Sequence, residues 1–421
     1  MSLCQAPNRV VAPLRRYRTL LEYHTPETLI RDLEALRTNN PDILRLEEVG
    51  RSVENRPIWL CKVGKSDTNP GLFMEGGIHG NEAIGVEMAF LWVRGLIEGR
   101  DHPEVRELLE KTTLWAIPML NPDGNVHNHR TNAHNIDLNR NHGCRVPQAP
   151  AECFCRCGCN TPSPGPHPFS EPETQAYRAA FERRKFTWSI CYHSGTEVLA
   201  YPWGAFRETP PDEASFIDFC QRIEKHIKDR GFEPYKWGQI IFKEQFLKEL
   251  YEPVEVAYPP YIIYCAGGAT DDYVYSHATL DLILEVSYDY EPPPSQIAHY
   301  FERQISLPYI VHKSLITEAP GDFKLTLSPS SIGIAQGSSG VISVKVEKTN
   351  DYKERVTLSS RNLPTGVTIS FNPSSGIPNF TSQATISVSS TAPPGNYTVL
   401  ILGTGPNGLK LIKLPLSFGR S

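Results

Sequence analysis

The sequence lacks any run of about 18 apolar residues, so it predicts no helix that spans a membrane. It also lacks a surplus of positive charge, because 42 Lys and Arg residues are opposed by 47 Asp and Glu residues, giving a formal net charge of −5. A basic surface that follows phosphates is therefore excluded, and we expect no nucleic-acid partner. The basic residues of positions 1–18 have no apolar segment behind them, so the sequence as it stands predicts no signal peptide.

Histidine and cysteine are absent from residues 319–421, although the chain of 421 residues has 13 histidines and 10 cysteines. The same segment is rich in Ser, Thr, Gly and Pro and has a net charge of +5, against −10 for residues 1–318. Its short alternating runs, such as Val341–Val346, are separated by turn residues such as Asn372–Gly376. This spacing is typical of an antiparallel β-sandwich. We therefore predict two domains, residues 1–318 and residues 319–421.

Residues 1–318 alternate helical and strand-like patterns. Pro26–Thr38 has leucines at helical spacing, and 82–98 is a second helical segment. Buried strands are predicted at 71–78, 113–120, 186–193 and 280–286. This alternation predicts an α/β fold: a mixed, mostly parallel open sheet flanked by helices, with its site at the carboxyl ends of the strands.

His79 and Glu82 lie three residues apart at a predicted junction between a strand and a helix. At this spacing an imidazole nitrogen and a carboxylate oxygen can reach one metal ion, and these donors suit zinc. A catalytic zinc needs a third protein ligand and an open position, and His193 at the end of an apolar strand is the candidate. Taken alone, each residue also fits a purely structural role.

The surrounding motifs carry a resemblance to a known family. In order they are Gly76-Gly-Ile-His-Gly-Asn-Glu82, Asn121-Pro-Asp-Gly124, Arg130, Asn135-Ile-Asp-Leu-Asn-Arg-Asn141, Tyr264-Cys-Ala-Gly-Gly-Ala-Thr-Asp-Asp-Tyr273 and Leu282-Ile-Leu-Glu285. Together they resemble the zinc metallocarboxypeptidases of the pancreatic type across residues 19–315. The form of the first and fourth motifs looks most like the regulatory branch, which also has a small β-sandwich after its catalytic domain. Residues 319–421 look more like a bacterial immunoglobulin-type module.

The resemblance implies a role for each matching residue. His79, Glu82 and His193 would bind one catalytic Zn2+, Glu285 would be the general base for the zinc-bound water, Arg130 would stabilise the oxyanion, Asn139 and Arg140 would hold the C-terminal carboxylate of the substrate, and Tyr264 would close over it. The chemistry agrees with these roles, because zinc lowers the pKa of a bound water and a nearby carboxylate can take its proton. Arginine pairs bidentately with anions and keeps its charge.

Asp271 bears on specificity. In carboxypeptidases of the B type, the residue before the Asp-aromatic pair is acidic and lies at the base of the side-chain pocket. The resemblance therefore implies a preference for C-terminal Lys or Arg through a buried charge pair. The acidic residue that the regulatory branch often has elsewhere is absent, since Gly204 follows Tyr201-Pro-Trp203. Two alternatives stay open: Asp271 caps a loop, or the pocket takes both apolar and basic residues.

The leading hypothesis is thus a zinc exopeptidase that acts on the C-termini of peptides or proteins. One alternative keeps the zinc fold but acts on γ-glutamyl or cell-wall peptides, and another is a catalytically inactive peptide-binding protein. A secreted location is expected for this type of peptidase, with the cytoplasm as the alternative. The β-sandwich has no titratable cluster, and we expect it to pack against the catalytic domain or to bind a surface or polymer.

Cysteines and further histidines surround the motifs. Five cysteines crowd residues 144–159, where a disulfide-stapled loop, a structural zinc site and reduced thiols all remain open. The histidines His127, His129, His134 and His142 are expected to be mostly solvated or packed in the core. His142 replaces the aromatic residue that the family usually has after Asn-Arg-Asn.

Overall fold

The computed structural model describes residues 22–143, 163–184, 186–204, 210, 212–240, 267–277, 279–317, 322–349, 352, 354–405 and 408–419. The chain forms two compact units. Unit 1 consists of residues up to 209 together with residues 216–313, and unit 2 consists of residues 210–215 and 314–421.

Unit 1 is built on a mixed sheet of eight strands. The strands are β1 (Leu44–Arg51), β2 (Pro57–Val63), β3 (Gly71–Glu75), β4 (Thr113–Ile117), β5 (Trp188–His193), β6 (Val198–Tyr201), β7 (Lys236–Gln239) and β8 (Leu280–Glu285). Their order in the sheet is β1-β2-β4-β3-β5-β8-β6-β7. The central strands β4, β3, β5 and β8 are parallel, whereas β2 pairs antiparallel with β1 and β4, and β6 pairs antiparallel with β8. The predicted α/β fold is confirmed.

Helices flank this sheet. They are α1 (Pro26–Asn39), α2 (Ala83–Glu98), α3 (Pro103–Lys111), α4 (Pro122–His127), α5 (Pro172–Glu182), α6 (Glu213–Asp229), α7 (Thr270–Ser276), α8 (Ile297–Gln304) and α9 (Ser306–Thr317), with 3-10 turns at Leu138–Arg140 and Pro294–Gln296. Helix α1 starts as its sequence suggests. Thr25 and Thr28 exchange hydrogen bonds in a capping box, and Pro26 occupies the first turn, where its missing N–H is not needed.

The central strands are buried on both faces. Every residue of β3, β4 and β5 is buried, which explains why these segments read as continuous apolar runs. On one face of the sheet, the ring of Phe73 contacts Tyr177, Phe181 and Phe186 with centroid separations of 5.3, 5.5 and 5.1 Å. These rings contact one another edge to face or at a tilt, an arrangement that stabilises the core beyond the effect of burying their area.

His142 joins this aromatic core. Its ring centroid lies 5.0 Å from that of Tyr177 and 5.4 Å from that of Phe169. Burial lowers the pKa of His142 to about 3, so the imidazole is neutral. The residue therefore fills the space of an aromatic side chain. Of the two expectations, solvation and packing in the core, the structure shows packing.

Unit 2 consists of two sheets that share one core. Its strands are β9 (Asp322–Ser328), β10 (Ile332–Gly333), β11 (Ser339–Thr349), β12 (Val356–Arg361), β13 (Val367–Asn372), β14 (Ser375–Gly376), β15 (Phe380–Val388), β16 (Gly395–Gly405) and β17 (Gly408–Phe418). They form the sheets β10-β17-β16-β12-β14 and β13-β15-β11-β9. Val344 and Ile386 of one sheet and Val399 and Leu414 of the other belong to the same buried cluster. The predicted all-β sandwich is confirmed, while its immunoglobulin-like character stays a prediction.

A buried ion pair lies within unit 2. The carboxylate of Asp212 pairs with the guanidinium of Arg361, and both residues are 4% exposed or less. Asp212 also accepts a hydrogen bond of 2.7 Å from the hydroxyl of Thr404 and one of 3.5 Å from that of Ser359. The carboxylate of Asp212 is thus paired and hydrogen-bonded from two strands, β12 and β16.

Within the described ranges, no helix combines the length and the apolar character needed to cross a bilayer.

The Asp212–Arg361 pair gives a stability prediction. Asp212→Asn removes the counter-ion of a buried guanidinium, and we expect unit 2 to lose about 3–5 kcal/mol of unfolding free energy. Urea unfolding followed by fluorescence measures the shift in midpoint. Glu347→Gln is the control, because Glu347 contacts Lys345 and Lys324 at the surface and its loss is expected to leave the midpoint nearly unchanged. Equal midpoints for the two variants would contradict the assignment.

Candidate metal centre and pocket

Three adjacent parallel strands end at the same edge of the sheet and deliver polar side chains there. The turn after β3 contains His79, β5 ends at His193, and β8 ends at Glu285. His193 and Glu285 are direct register partners. The turn depends on Gly77, whose φ of +62° favours glycine and whose Cβ would lie 2.7 Å from Val86. The carboxyl ends of the strands therefore form the site, as expected for this sheet.

Two imidazoles and a carboxylate converge at this edge. Nδ1 of His79 lies 2.7 Å from Oε1 of Glu82, and Nδ1 of His193 lies 2.9 Å from Oε2. The two Nδ1 atoms are 3.2 Å apart, and one donor atom from each residue lies within 4.8 Å of the others. All three side chains are buried.

Outer partners hold these three side chains in place. Asp137 Oδ1 lies 3.1 Å from Nε2 of His79, and the backbone N–H of Ser194 donates to Glu82 at 3.1 Å. Nε of Arg130 donates to Asp137 at 2.9 Å, and its Nη1 donates to Glu82 at 3.3 Å. A carboxylate behind an imidazole fixes the tautomer and the ring orientation of a metal-binding histidine.

The acidic groups of the cluster are ionised. Burial alone would raise the pKa of Glu82, but the adjacent His79 and His193 hold it well below its usual value. Burial opposes ionisation of Asp137 as well, and His79 and Arg130 overcome it, so the pKa of Asp137 is also lowered. Glu82 and Asp137 are thus carboxylates although they are buried, and Glu82 can offer an anionic oxygen to a metal ion.

The donor set fits zinc. Two imidazole nitrogens and one carboxylate oxygen are the ligands of a catalytic zinc that keeps one position open. In His79, Nδ1 faces the cluster and Nε2 faces Asp137, which is the arrangement of a histidine with a metal on one side and an outer carboxylate on the other. His79, Glu82 and His193 are therefore suited to hold one Zn2+.

A short turn next to the cluster carries Asn139 and Arg140. The side-chain oxygen of Asn139 accepts two hydrogen bonds of 3.0 Å from the N–H and the hydroxyl of Thr270, and its Nδ2 lies 3.2 Å from Nε2 of His193. Nη1 of Arg140 donates to the carbonyl of Asn139 at 2.7 Å. Gly268 allows this approach, because at φ +75° a Cβ there would lie 2.2 Å from the carbonyl oxygen of Arg140.

An open pocket adjoins the metal cluster. Polar and apolar side chains line it together: His79, Asn139, Arg140, His193, Ile240, Ala269, Thr270, Asp271, Ile283 and Glu285. The pocket thus joins three groups that were predicted separately, namely the metal ligands, the carboxylate clamp and Asp271.

Glu285 and Asp271 are the buried acids of this pocket. Oε2 of Glu285 and Oδ2 of Asp271 have no hydrogen-bond partner among the described residues. Burial raises the pKa of Glu285 to about 7, with the Glu82 charge acting in the same direction. Burial raises the pKa of Asp271 to about 6, although Arg140 and His193 oppose the shift. Both carboxyls are therefore ready to exchange a proton near neutral pH.

The structure brings together most of the residues predicted from the sequence. His79, Glu82, His193, Arg130, Asn139, Arg140, Asp271 and Glu285 all lie in or beside this one site. Tyr264 and the cysteine cluster of residues 144–159 lie outside the described residues. The roles assigned to these residues stay predictions.

Three supporting residues were missed. Asp137, Ser194 and Thr270 contact the predicted residues, yet none was given a role from the sequence. Each is a sequence neighbour of a predicted residue, and Asp137 stands inside the motif that contains Asn139. Only the fold shows which of these neighbours turn inward.

Comparison with known proteins finds one family. The model of the family described as zinc carboxypeptidase matches residues 29–306. The chain is 26% identical over 291 residues to zinc carboxypeptidase A 1 of Anopheles gambiae. That alignment covers 65% of this chain and 60% of the relative. It is 26% identical over 288 residues to carboxypeptidase A2 of Rattus norvegicus, covering 64% and 62%. The chain thus spans about three fifths of the length of these curated relatives.

Solved structures share the fold. Bovine thrombin-activatable fibrinolysis inhibitor, in complex with tick carboxypeptidase inhibitor, superposes with a TM-score of 0.57 at 20% identity, over 71% of this chain and 99% of that one. Carboxypeptidase A of Helicoverpa armigera gives a TM-score of 0.56 at 20% identity, over 70% and 74%. At this identity the similarity concerns the fold.

The geometry predicts one zinc ion per chain and a graded response to substitution. His79→Ala removes a ligand, whereas Asp137→Asn leaves the three ligands in place and weakens the contacts of Asp137 with His79 and Arg130. We expect Asp137→Asn to weaken zinc binding roughly 10–100-fold and His79→Ala to weaken it further. Competition with a chromophoric chelator measures both affinities. His127→Ala, at an exposed histidine, is the control, and a variant of His79 that keeps the wild-type affinity would rule out this site.

Proposed function

Because the chain belongs to the zinc carboxypeptidase family, we propose that it is a zinc-dependent exopeptidase that removes C-terminal residues from peptides or proteins and prefers Lys and Arg. The observation that carries the proposal is the buried cluster of His79, Glu82 and His193, with the unpartnered carboxyl oxygen of Glu285 on the neighbouring strand. We also propose that this protein acts outside the cell.

The metal ligands and the base have separate tasks. His79, Glu82 and His193 would hold the zinc, which when bound acts as a Lewis acid on the scissile carbonyl and on water. Glu285 would accept a proton from the attacking water and pass it to the leaving amine. Its raised pKa, about 7, supports both transfers, because a base must later act as an acid at the same pH.

Arg130 and Arg140 are the cations proposed to bind substrate oxygens. Arg130 is held by Asp137 and Glu82 beside the metal cluster, and its side chain is one third exposed, which supports a role in stabilising the oxyanion. Arg140 is buried at the pocket wall together with Asn139. A guanidinium and an amide at this place fit the C-terminal carboxylate of a peptide, which selects for exopeptidase action.

Asp271 supports the proposed preference for a basic C-terminal residue. It lines the same pocket as Arg140, is 2% exposed, and has an oxygen without a hydrogen-bond partner among the described residues. A buried acid of this kind gains from pairing with a cation, and Lys or Arg of the substrate would supply one. Ile240 and Ile283 would pack against the aliphatic part of that side chain.

The role of Glu285 predicts the outcome of its amide variant. Glu285→Gln keeps the shape but cannot accept the proton, so we expect kcat to fall about 10²–10⁴-fold with zinc content unchanged. For the wild-type chain, kcat/KM should fall as pH decreases through about 7, because the carboxyl then becomes protonated. Glu291→Gln, at an exposed glutamate further along the chain, is the matched control. Wild-type turnover in Glu285→Gln would contradict the mechanism.

Matched peptides that end in Arg or Phe test the specificity. We expect release of Arg well above Phe, and loss of both on addition of a zinc chelator. Asp271→Leu should lower kcat/KM for the Arg peptide roughly 30-fold or more, since a buried partner of a charge is worth ~2 kcal/mol or more. Asp289→Leu, at an exposed position, is the control. Release of Phe but not Arg would support the proposed hydrolase and contradict the proposed role of Asp271 in specificity. Release of neither residue would favour action on cell-wall peptides or a peptide-binding protein without activity.

A further inference from the structure

The loop that follows α4 carries Arg130 and Asp137, which contact each other beside the metal cluster. Nε of Arg130 donates to Oδ2 of Asp137 at 2.9 Å, and Oδ1 of Asp137 lies 3.1 Å from Nε2 of His79. Because the two residues are close in space but lie on either side of residues 131–136, the chain must fold back between them. Asn132 stands in this bend, and its contacts show how the bend is held.

Asn132 closes the bend by hydrogen bonds within it. Its side-chain oxygen accepts hydrogen bonds of 3.1 Å from the backbone N–H groups of His134 and Ile136. Its backbone N–H donates to the carbonyl of Ile136 at 3.0 Å, and its own carbonyl accepts from the N–H of Asn135 at 2.9 Å. Asparagine side chains often replace backbone partners in this way. The turn of residues 132–136 is therefore bound together through one residue.

The amide nitrogen of Asn132 fixes the same bend to the start of α5. Nδ2 donates to Oε2 of Glu171 at 2.8 Å and to Oε2 of Glu173 at 3.0 Å. Glu171 is the residue before the first turn of α5, Glu173 lies within that turn, and both are buried, as is Asn132. With two N–H groups donating and an oxygen accepting twice, the amide of Asn132 uses its full hydrogen-bonding capacity.

Further donors hold the two acids. Oε2 of Glu171 also lies 2.8 Å from Nδ1 of His134, and Oε1 accepts a 2.8 Å hydrogen bond from the hydroxyl of Ser170. Oε1 of Glu173 accepts from the backbone N–H of Val53 at 3.1 Å. Burial opposes ionisation of Glu171, but its hydrogen bonds outweigh burial and lower its pKa, whereas burial raises the pKa of Glu173. The two carboxyl groups thus form a fixed anchor for the bend.

The contacts at the two ends of the loop are unequal. The backbone N–H of Asp137 donates to the carbonyl of Ser163 at 2.9 Å, so this end has a second firm attachment. The carbonyl of Arg130 accepts from the N–H of Gly80 and from Nδ2 of Asn121, both at the long distance of 3.4 Å. The position of Arg130 therefore depends more on the bend than the position of Asp137 does.

We propose that Asn132 is a positioning residue for Arg130. By binding the bend to Glu171 and Glu173, it holds the backbone from which the partly exposed guanidinium of Arg130 reaches the proposed oxyanion. A displacement of about 1 Å of such a group can lower a rate by about 10²-fold. Asn132 acts through Arg130 and not by contact with the substrate. The inference rests on the proposed exopeptidase function and on the proposed role of Arg130 in it.

Asn132→Asp tests the anchor. The variant keeps an oxygen for the backbone N–H groups of the bend, but it replaces the donating nitrogen with an oxygen that faces two acids. We expect kcat for an Arg peptide at saturating zinc to fall about 10–100-fold, with KM changed less than about twofold, because the oxyanion exists only in the transition state. Asn128→Asp is the control, since it adds the same charge at an exposed position two residues before Arg130. Wild-type kcat in Asn132→Asp would overturn the inference.

Arg130→Ala separates positioning from a general loss of structure. If Asn132 acts through Arg130, adding Asn132→Asp to Arg130→Ala should lower kcat by less than about twofold more. An equal fall in both backgrounds would overturn the inference and leave the proposed function intact, because the effect would then not pass through Arg130. Wild-type kcat in Arg130→Ala would overturn both the inference and the role of Arg130 in the proposed function.

Glu173→Gln provides a rescue. Alone it should lower kcat, because both polar atoms of this side chain must accept, one from Val53 and one from Asn132. Combined with Asn132→Asp, the new amide nitrogen can donate to the new carboxylate, which restores the hydrogen bond in the opposite direction. We expect the double variant to have a higher kcat than either single variant. A double variant no more active than Asn132→Asp would overturn the assignment of Glu173 as an anchor.

Discussion

The structure of the site depends on one buried carboxylate. Glu82 is enclosed by the imidazoles of His79 and His193, by the backbone N–H of Ser194 and by the guanidinium of Arg130. A carboxylate is stable in such a place only when it is paired and hydrogen-bonded. The ends of two strands, the start of α2 and a loop must therefore meet at one point, and the positions of the remaining site residues follow from that meeting.

The sequence allows this meeting to be predicted where its parts are local or regular. His79 and Glu82 are three residues apart in the turn that leads into α2, where the N–H of Glu82 donates to the carbonyl of His79, so their proximity is local in the sequence. The place of His193 and Glu285 follows from apolar runs that end in a polar residue, because parallel strands present their carboxyl ends at the same edge. The resemblance to a known family then supplied Arg130, whose loop has no regular pattern of its own.

Other features could not be predicted because they depend on contacts across the sheet. Asp281 lies within Leu280–Glu285, a segment whose composition predicts only a buried strand. That its side chain shares the face of β8 with Ile283, which lines the pocket, depends on where the strand begins and on its register with β5. The environment of His142 could not be predicted either, because the loop sequence is consistent both with packing in the core and with solvation.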